Sequence, residues 1–224
     1  MANPLNLEEQ EQIDQLKHFW ARYGNFIAGA LIVIAGTFAA WNGWNYWQRA
    51  QAVKAAALYD EIQRATASAD ANHISRALND LQSRFGGSAF ADQGALLAAK
   101  TLTDMGKTDM ARAALQWVSE QSKDESHRAV ARLRIAGLDL DAKAYDKALR
   151  TLEVSMPTSF AALLADRRGD IYKAMGKTDE ARQQYELAWR AFNVRTEYRN
   201  LVEVKLAALG IDVATFTAST EAIR

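Results

Sequence analysis

Residues 23–48 contain no charged side chain, and Arg22 and Arg49 bound this run of 26 residues. Its centre, Phe26-Ile-Ala-Gly-Ala-Leu-Ile-Val-Ile-Ala-Gly-Thr-Phe-Ala-Ala40, is almost wholly apolar. As a helix, the stretch from Tyr23 to Trp44 spans roughly 33 Å at about 1.5 Å per residue, matching a hydrocarbon core of about 30 Å. Phe19, Trp20 and Tyr23 flank one end and Trp41, Trp44, Tyr46 and Trp47 the other, as aromatic rings do at the two membrane–water interfaces. A cleaved signal peptide fits poorly, because Glu8, Glu9, Glu11 and Asp14 precede an apolar run that is too long for one. The expectation is a single transmembrane helix. Gly29, Gly36 and Gly43 recur every seven residues along it and form a candidate helix-packing stripe, since small residues admit a second membrane helix closely. Lys17 and Arg22 before the span balance Arg49 and Lys54 after it, so charge alone leaves orientation open.

The totals narrow the chemistry. Lys plus Arg and Asp plus Glu both number 27, so no bulk attraction to nucleic acid is expected. The absence of Cys excludes disulfides, thiol catalysis, Fe–S clusters and thiolate zinc sites. With only two Pro in 224 residues, and Ala and Leu abundant, the part beyond the span reads as helix after helix. Residues 49–67 continue the membrane helix outward, and residues 68–72 form a polar break. Residues 74–85 place Ile74, Leu78, Leu81 and Phe85 on one face, before Gly86-Gly87-Ser88.

An internal repeat then sets the fold. Met105-Gly-Lys-Thr-Asp-Met-Ala-Arg112 and Met175-Gly-Lys-Thr-Asp-Glu-Ala-Arg182 agree at seven of eight positions, 70 residues apart, with Ala142-Lys-Ala-Tyr-Asp-Lys-Ala148 between them. Ala111, Ala148 and Ala181 are separated by 37 and 33 residues. A period near 34 with a helix–turn–helix pattern is the tetratricopeptide signature. Ala165, Gly169, Tyr172, Ala181, Tyr185 and Ala188 take its small and aromatic positions in the last copy, where two helices cross closely. Asp109 and Asp179 are expected to N-cap the second helix of each pair. A final helix over residues 197–209 caps the stack, and residues 211–224 read as a frayed tail.

The repeats show no catalytic signature. His18, His73 and His127 lack metal-ligand spacing and read as surface residues. Asp166 and Asp170 sit beside Arg167, Arg168 and Lys173, which suggests a solvated, mixed-charge face. Arg128, Arg132 and Arg134 read the same way. Inner-helix positions, taken as Leu96 and Lys100, Leu133 and Gly137, and Asp166 and Asp170, give no repeated basic clamp for a peptide carboxylate. No cofactor, metal or enzymatic activity is expected.

The layout resembles the YfgM-like family of ancillary Sec translocon subunits. The resemblance is carried by Phe90-Ala-Asp-Gln-Gly-Ala-Leu-Leu-Ala-Ala-Lys100, Lys123-Asp-Glu-Ser-His-Arg-Ala-Val-Ala-Arg-Leu-Arg-Ile-Ala136 and Ala165-Asp-Arg-Arg-Gly169. It covers nearly the whole chain. It implies an all-α protein with one N-terminal transmembrane helix and a tetratricopeptide-like α-solenoid. The implied parts are a cytoplasmic tail (1–22), the membrane helix (23–48), a periplasmic repeat domain (49–210) and a C-terminal tail (211–224). The implied location is the inner membrane. The implied partners are SecYEG, a PpiD-like membrane-anchored periplasmic chaperone and emerging secretory polypeptides. A cell-envelope scaffold for division or stress signalling, independent of the translocon, is the alternative.

Overall fold

The computed structural model describes residues 7–213. Helix α1 runs Leu7–Ala67, and eight more follow: α2 Ala71–Phe85, α3 Ala89–Asp104, α4 Thr108–Gln121, α5 Glu125–Asp141, α6 Tyr145–Thr151, α7 Ala161–Ala174, α8 Thr178–Ala191 and α9 Glu197–Ala207. One 3-10 turn, Thr158–Phe160, precedes α7. The described residues contain no strand. The chain divides into two compact units, residues up to Val53 and residues from Lys54 onward.

The first unit is helix with its apolar side chains outward. Phe26, Ile32, Val33 and Phe38 are all at least two-thirds exposed. Only 6% of the apolar window is buried, which separates it from the core helix of a soluble domain. Burying such a surface requires lipid or another protein. Two polar side chains inside the run are satisfied by the helix itself: Thr37 Oγ1 donates to the Val33 carbonyl (2.8 Å), and Asn42 Nδ2 donates to that of Phe38 (3.1 Å). That is the solution a low-dielectric solvent demands.

The second unit is a row of helical hairpins, each packed mainly against its neighbours in sequence: the end of α1 with α2, α3 with α4, α5 with α6, and α7 with α8, followed by α9. One turn recurs at the end of every first helix. Ala69, Gly106, Lys143, Gly176 and Gly210 all have positive φ, between +52° and +79°. In each turn two backbone N–H groups fold back onto the last helical carbonyls, as in Lys107 to Leu102 (2.8 Å) with Gly106 to Thr103 (2.9 Å). The same pairs recur at Asp70 to Ala65, Ala144 to Asp139, Lys177 to Tyr172 and Ile211 to Leu206. This closure satisfies carbonyls that a helix end leaves orphaned, and it needs a left-handed residue. Glycine adopts that conformation freely; Ala69 and Lys143 hold it at a steric cost.

The turns are 37, 37, 33 and 34 residues apart, so the repeat begins earlier than its matching motifs and extends past the last of them. The end of α1 is the first helix of a hairpin, and α9 occupies the first-helix place of another. Two local expectations change. Asp109 and Asp179 lie within the first turns of α4 and α8, whose N-caps are Lys107 and Lys177 without a side-chain cap bond. Residues 211–213 carry Ile211 and Val213 packed against the last core cluster, whereas the remainder of the expected tail lies outside the described residues.

Candidate functional site

The small and aromatic repeat positions build the crossings that shape the domain. Ala111, Ala148, Ala181 and Ala188 are fully buried, and Tyr185 is nearly so. Gly169 lies directly beneath the Tyr185 ring: a Cβ there would stand 2.5 Å from two ring carbons. Tyr172 is half-buried against the same cluster. In the first unit, none of the described residues beyond the helix's own backbone comes within 4 Å of where a Cβ of Gly29, Gly36 or Gly43 would be, so that stripe is open.

Buried carboxylates tie successive hairpins together. Asp92 on α3 accepts from Ser122 Oγ (2.7 Å) and lies 3.2 Å from His127 Nδ1 on α5. Asp139 on α5, 1% exposed, pairs with Arg112 of α4 (2.8 Å) and Lys147 of α6 (3.2 Å). Asp166 on α7, 2% exposed, takes both Lys205 Nζ (2.7 and 2.9 Å) and the Tyr198 hydroxyl (2.8 Å) from α9. Asp170 accepts from Tyr185 (2.9 Å) and pairs with Lys205 (2.7 Å). Desolvation first, and then these carboxylates, push the Tyr185 and Tyr198 hydroxyls far above the usual tyrosine range.

The expected solvated face of Asp166 and Asp170 is therefore an internal joint, and Lys205, 35 residues beyond Asp170, is the partner that local spacing could not reveal. His127 is partly buried in another such joint rather than free on the surface. Ser122, His127 and Asp92 do not form a nucleophilic relay, because the hydroxyl donates to the carboxylate and not to the imidazole. Among the described residues, no group of three His, Cys, Asp or Glu is placed to hold a metal ion.

The first helices of the hairpins line a cleft of about 380 Å³. Lys100, Thr103 and Asp104 come from α3, Arg134, Gly137 and Asp141 from α5, and Arg167 from α7. Lys100 and Gly137 stand there as the inner-face reading expects, but Asp166 and Asp170 do not; one residue on from Leu133 and Asp166, Arg134 and Arg167 line the cleft. Arg134 is nine residues before the turn residue Lys143, and Arg167 is nine before Gly176, so the two are repeat-equivalent. Arg134 is exposed and Arg167 half-buried, yet both are engaged by this chain. Arg134 Nη1 donates to the Leu96 carbonyl at 2.8 Å, and desolvation holds its guanidinium pKa below the usual arginine range. Arg128 and Arg132 likewise donate to backbone carbonyls, those of Ser122 (2.8 Å) and Ser155 (3.4 Å).

The sequence that builds this apolar helix and row of hairpins matches known proteins over almost its full length. The family model of a tetratricopeptide repeat-like domain matches residues 17–211. The chain is 32% identical over 205 residues to a protein of Neisseria gonorrhoeae named ancillary SecYEG translocon subunit, covering 91% of this chain and 98% of that one. It is 27% identical over 206 residues to the Escherichia coli protein of the same name, covering 91% and 97%. For the Haemophilus influenzae protein of that name the identity is 30% over 187 residues, covering 82% and 89%. The chain belongs to the family of ancillary SecYEG translocon subunits, built on a tetratricopeptide repeat-like domain.

Proposed function

We propose that this protein is a single-pass, non-enzymatic ancillary subunit of the Sec translocon that holds a periplasmic chaperone near newly exported chains. In this reading residues 1–22 are cytoplasmic, residues 23–48 cross the inner membrane, residues 49–210 form the periplasmic repeat domain and residues 211–224 a C-terminal tail. The observation that carries it is the end-to-end relationship with proteins named for SecYEG, which spans the apolar helix and the repeats together. The physics is compatible. An anchor confines the repeat domain to a thin layer beside the membrane and so raises its effective concentration there. A solenoid offers an extended inner face for a partner or an emerging polypeptide. The open Gly29, Gly36 and Gly43 stripe gives the membrane helix a close-packing face of its own.

Affinity purification of the full chain in mild detergent tests the assignment. SecY and a membrane-anchored, PpiD-like chaperone are expected among the co-purifying membrane proteins. Recovery of division or stress-signalling components without either would favour the envelope-scaffold alternative. Protease added to spheroplasts is expected to degrade the repeat domain from outside. Degradation only after the membrane is opened would reverse the orientation.

A further inference from the structure

The inner cleft has an electrostatic feature that the scaffold role does not use. Its two guanidiniums lack a close carboxylate among the described residues. Arg134 is engaged by the Leu96 carbonyl. Arg167 has only Asp170 Oδ2 at 3.8 Å, while the other oxygen of Asp170 is held by Lys205 (2.7 Å) and Tyr185 (2.9 Å). Two half-buried cations elsewhere in the domain, by contrast, meet acids at ordinary ion-pair distance: Arg112 meets Asp139 (2.8 Å) and Lys205 meets Asp166 (2.7 Å). Gly137 leaves the floor between Arg134 and Arg167 without a side chain, and a Cβ there would only just touch the Arg167 guanidinium, at 3.6 Å. The acids nearby do not close on the pair: Asp104 is matched by Lys100 at 2.8 Å, Asp141 makes no ion pair with either arginine, and Asp170 reaches Arg167 only at 3.8 Å.

We propose that this cleft recognises an extended polypeptide segment through the carboxylates of its acidic side chains, with Arg134 and Arg167 as the anion-binding pair. Guanidinium forks suit carboxylates, and a partly desolvated site strengthens the charge-assisted hydrogen bonds. The lining comes from three successive first helices, so the cleft is open along the array and takes a chain passing through it rather than a chain end. Spacing adds a constraint. Packed helices lie about 10 Å apart and an extended chain advances about 3.3 Å per residue, so acids three residues apart match neighbouring inner helices. The assignment deepens the scaffold role, since it says what chemistry the inner face takes. It does not depend on which membrane proteins co-purify.

The test uses the purified full chain in mild detergent and fluorescence anisotropy of labelled ten-residue peptides. One peptide, of Gly, Ser and Ala with both ends blocked, carries two Asp three residues apart. A second replaces both Asp by Asn, and a third is uncharged in its side chains but has a free C-terminal carboxylate. The Asp peptide is expected to bind, its affinity falling as salt rises, and the other two to bind at least about tenfold more weakly. Arg134→Gln and Arg167→Gln are each expected to weaken the Asp peptide about tenfold. Gly137→Leu keeps both charges, improves helix propensity and fills the floor, so it is expected to block binding in a folded protein. Equal binding of the Asp and Asn peptides overturns the proposal, as does preference for the free C-terminus or absence of Asp-peptide binding at millimolar concentration. If either arginine variant loses its helical signal, Gly137→Leu alone decides, and undiminished binding there also overturns it. Co-purification of translocon components is scored separately, so the two readings can fail independently.

Discussion

Gly36 and Gly169 are the same residue in helices of the same protein, and they face opposite situations. Around Gly36 there is open space, whereas Gly169 lies against the Tyr185 ring, whose hydroxyl is fixed to Asp170. Small residues in a helix announce a close approach, and they do not announce by what. In the repeat domain the approaching body is supplied by this chain. In the apolar helix nothing among the described residues fills the place, which leaves it open to another molecule.

Substitutions can break that contrast. Ala181 is fully buried at the crossing of α7 and α8, and Ala181→Glu places an unpaired charge there. A loss on the order of 3–5 kcal/mol is expected, read as a collapse of the thermal unfolding transition. A wild-type midpoint would mean that the hairpin register is wrong. Gly169→Ala is next. The methyl gains about 1 kcal/mol of helix propensity but meets a ring that cannot retreat, so a net loss of about 2 kcal/mol is expected from chemical denaturation. A stabilised variant would show that Tyr185 can move.

Gly36→Ala should leave unfolding of the repeat domain unchanged, because among the described residues no side chain lies within 4 Å of the added methyl. Gly36→Leu is expected to cost about 1 kcal/mol in association with a neighbouring membrane helix, seen as weaker retention of the translocon in detergent washes. An effect of Gly36→Ala on the domain's midpoint would erase the contrast.

The last change is the smallest at neutral pH. Asp124 caps α5, and hydrogen bonds from the His127 and Ser126 backbone N–H groups hold its carboxyl below the usual carboxylate range. A depressed folded-state pKa contributes stability that is present above the unfolded value, about 3.9, and is lost as pH falls through the folded one. Asp124→Asn retains a capping oxygen, so its stability should match the wild type at pH 7 and fall less steeply below about pH 4. Parallel acid limbs would remove Asp124 from that dependence.

The membrane helix and the last hairpin were legible because their signals are local: an uninterrupted apolar run, and the duplicated Met-Gly-Lys-Thr-Asp of α4 and α8. The first hairpin was not legible, because Ala69 holds its left-handed turn without a glycine to mark it. The Asp166 joint was hidden for another reason. Its charge neighbours in sequence, Arg167 and Arg168, suggest a solvated face, while its actual partner, Lys205, arrives from α9. The inner arginines were missed by one residue, since the positions that line an inner face depend on how far each hairpin is rotated against the next. That rotation is a property of packing between repeats and leaves no trace within any single one.

The buried carboxylates are unevenly distributed, and from α3 onward the unevenness gives the array a place to bend. Asp92 and Asp139 cross between the hairpin of α3 and α4 and that of α5 and α6, and Asp166 crosses from α7 to α9. Among the described residues no buried carboxylate crosses from α6 to α7. That junction is held by Ala136, Ala148, Leu152 and Ile171 and by Arg168 donating to the Leu152 carbonyl (2.8 Å). Ion pairs resist a change of angle because their geometry is directional, while apolar contacts tolerate sliding. From α3 onward the array is therefore two stiff segments meeting at a softer joint, and Arg134 and Arg167 stand on opposite sides of it. A few degrees of curvature there would set the gap between the two guanidiniums, much as the opening of calipers is set at the pivot.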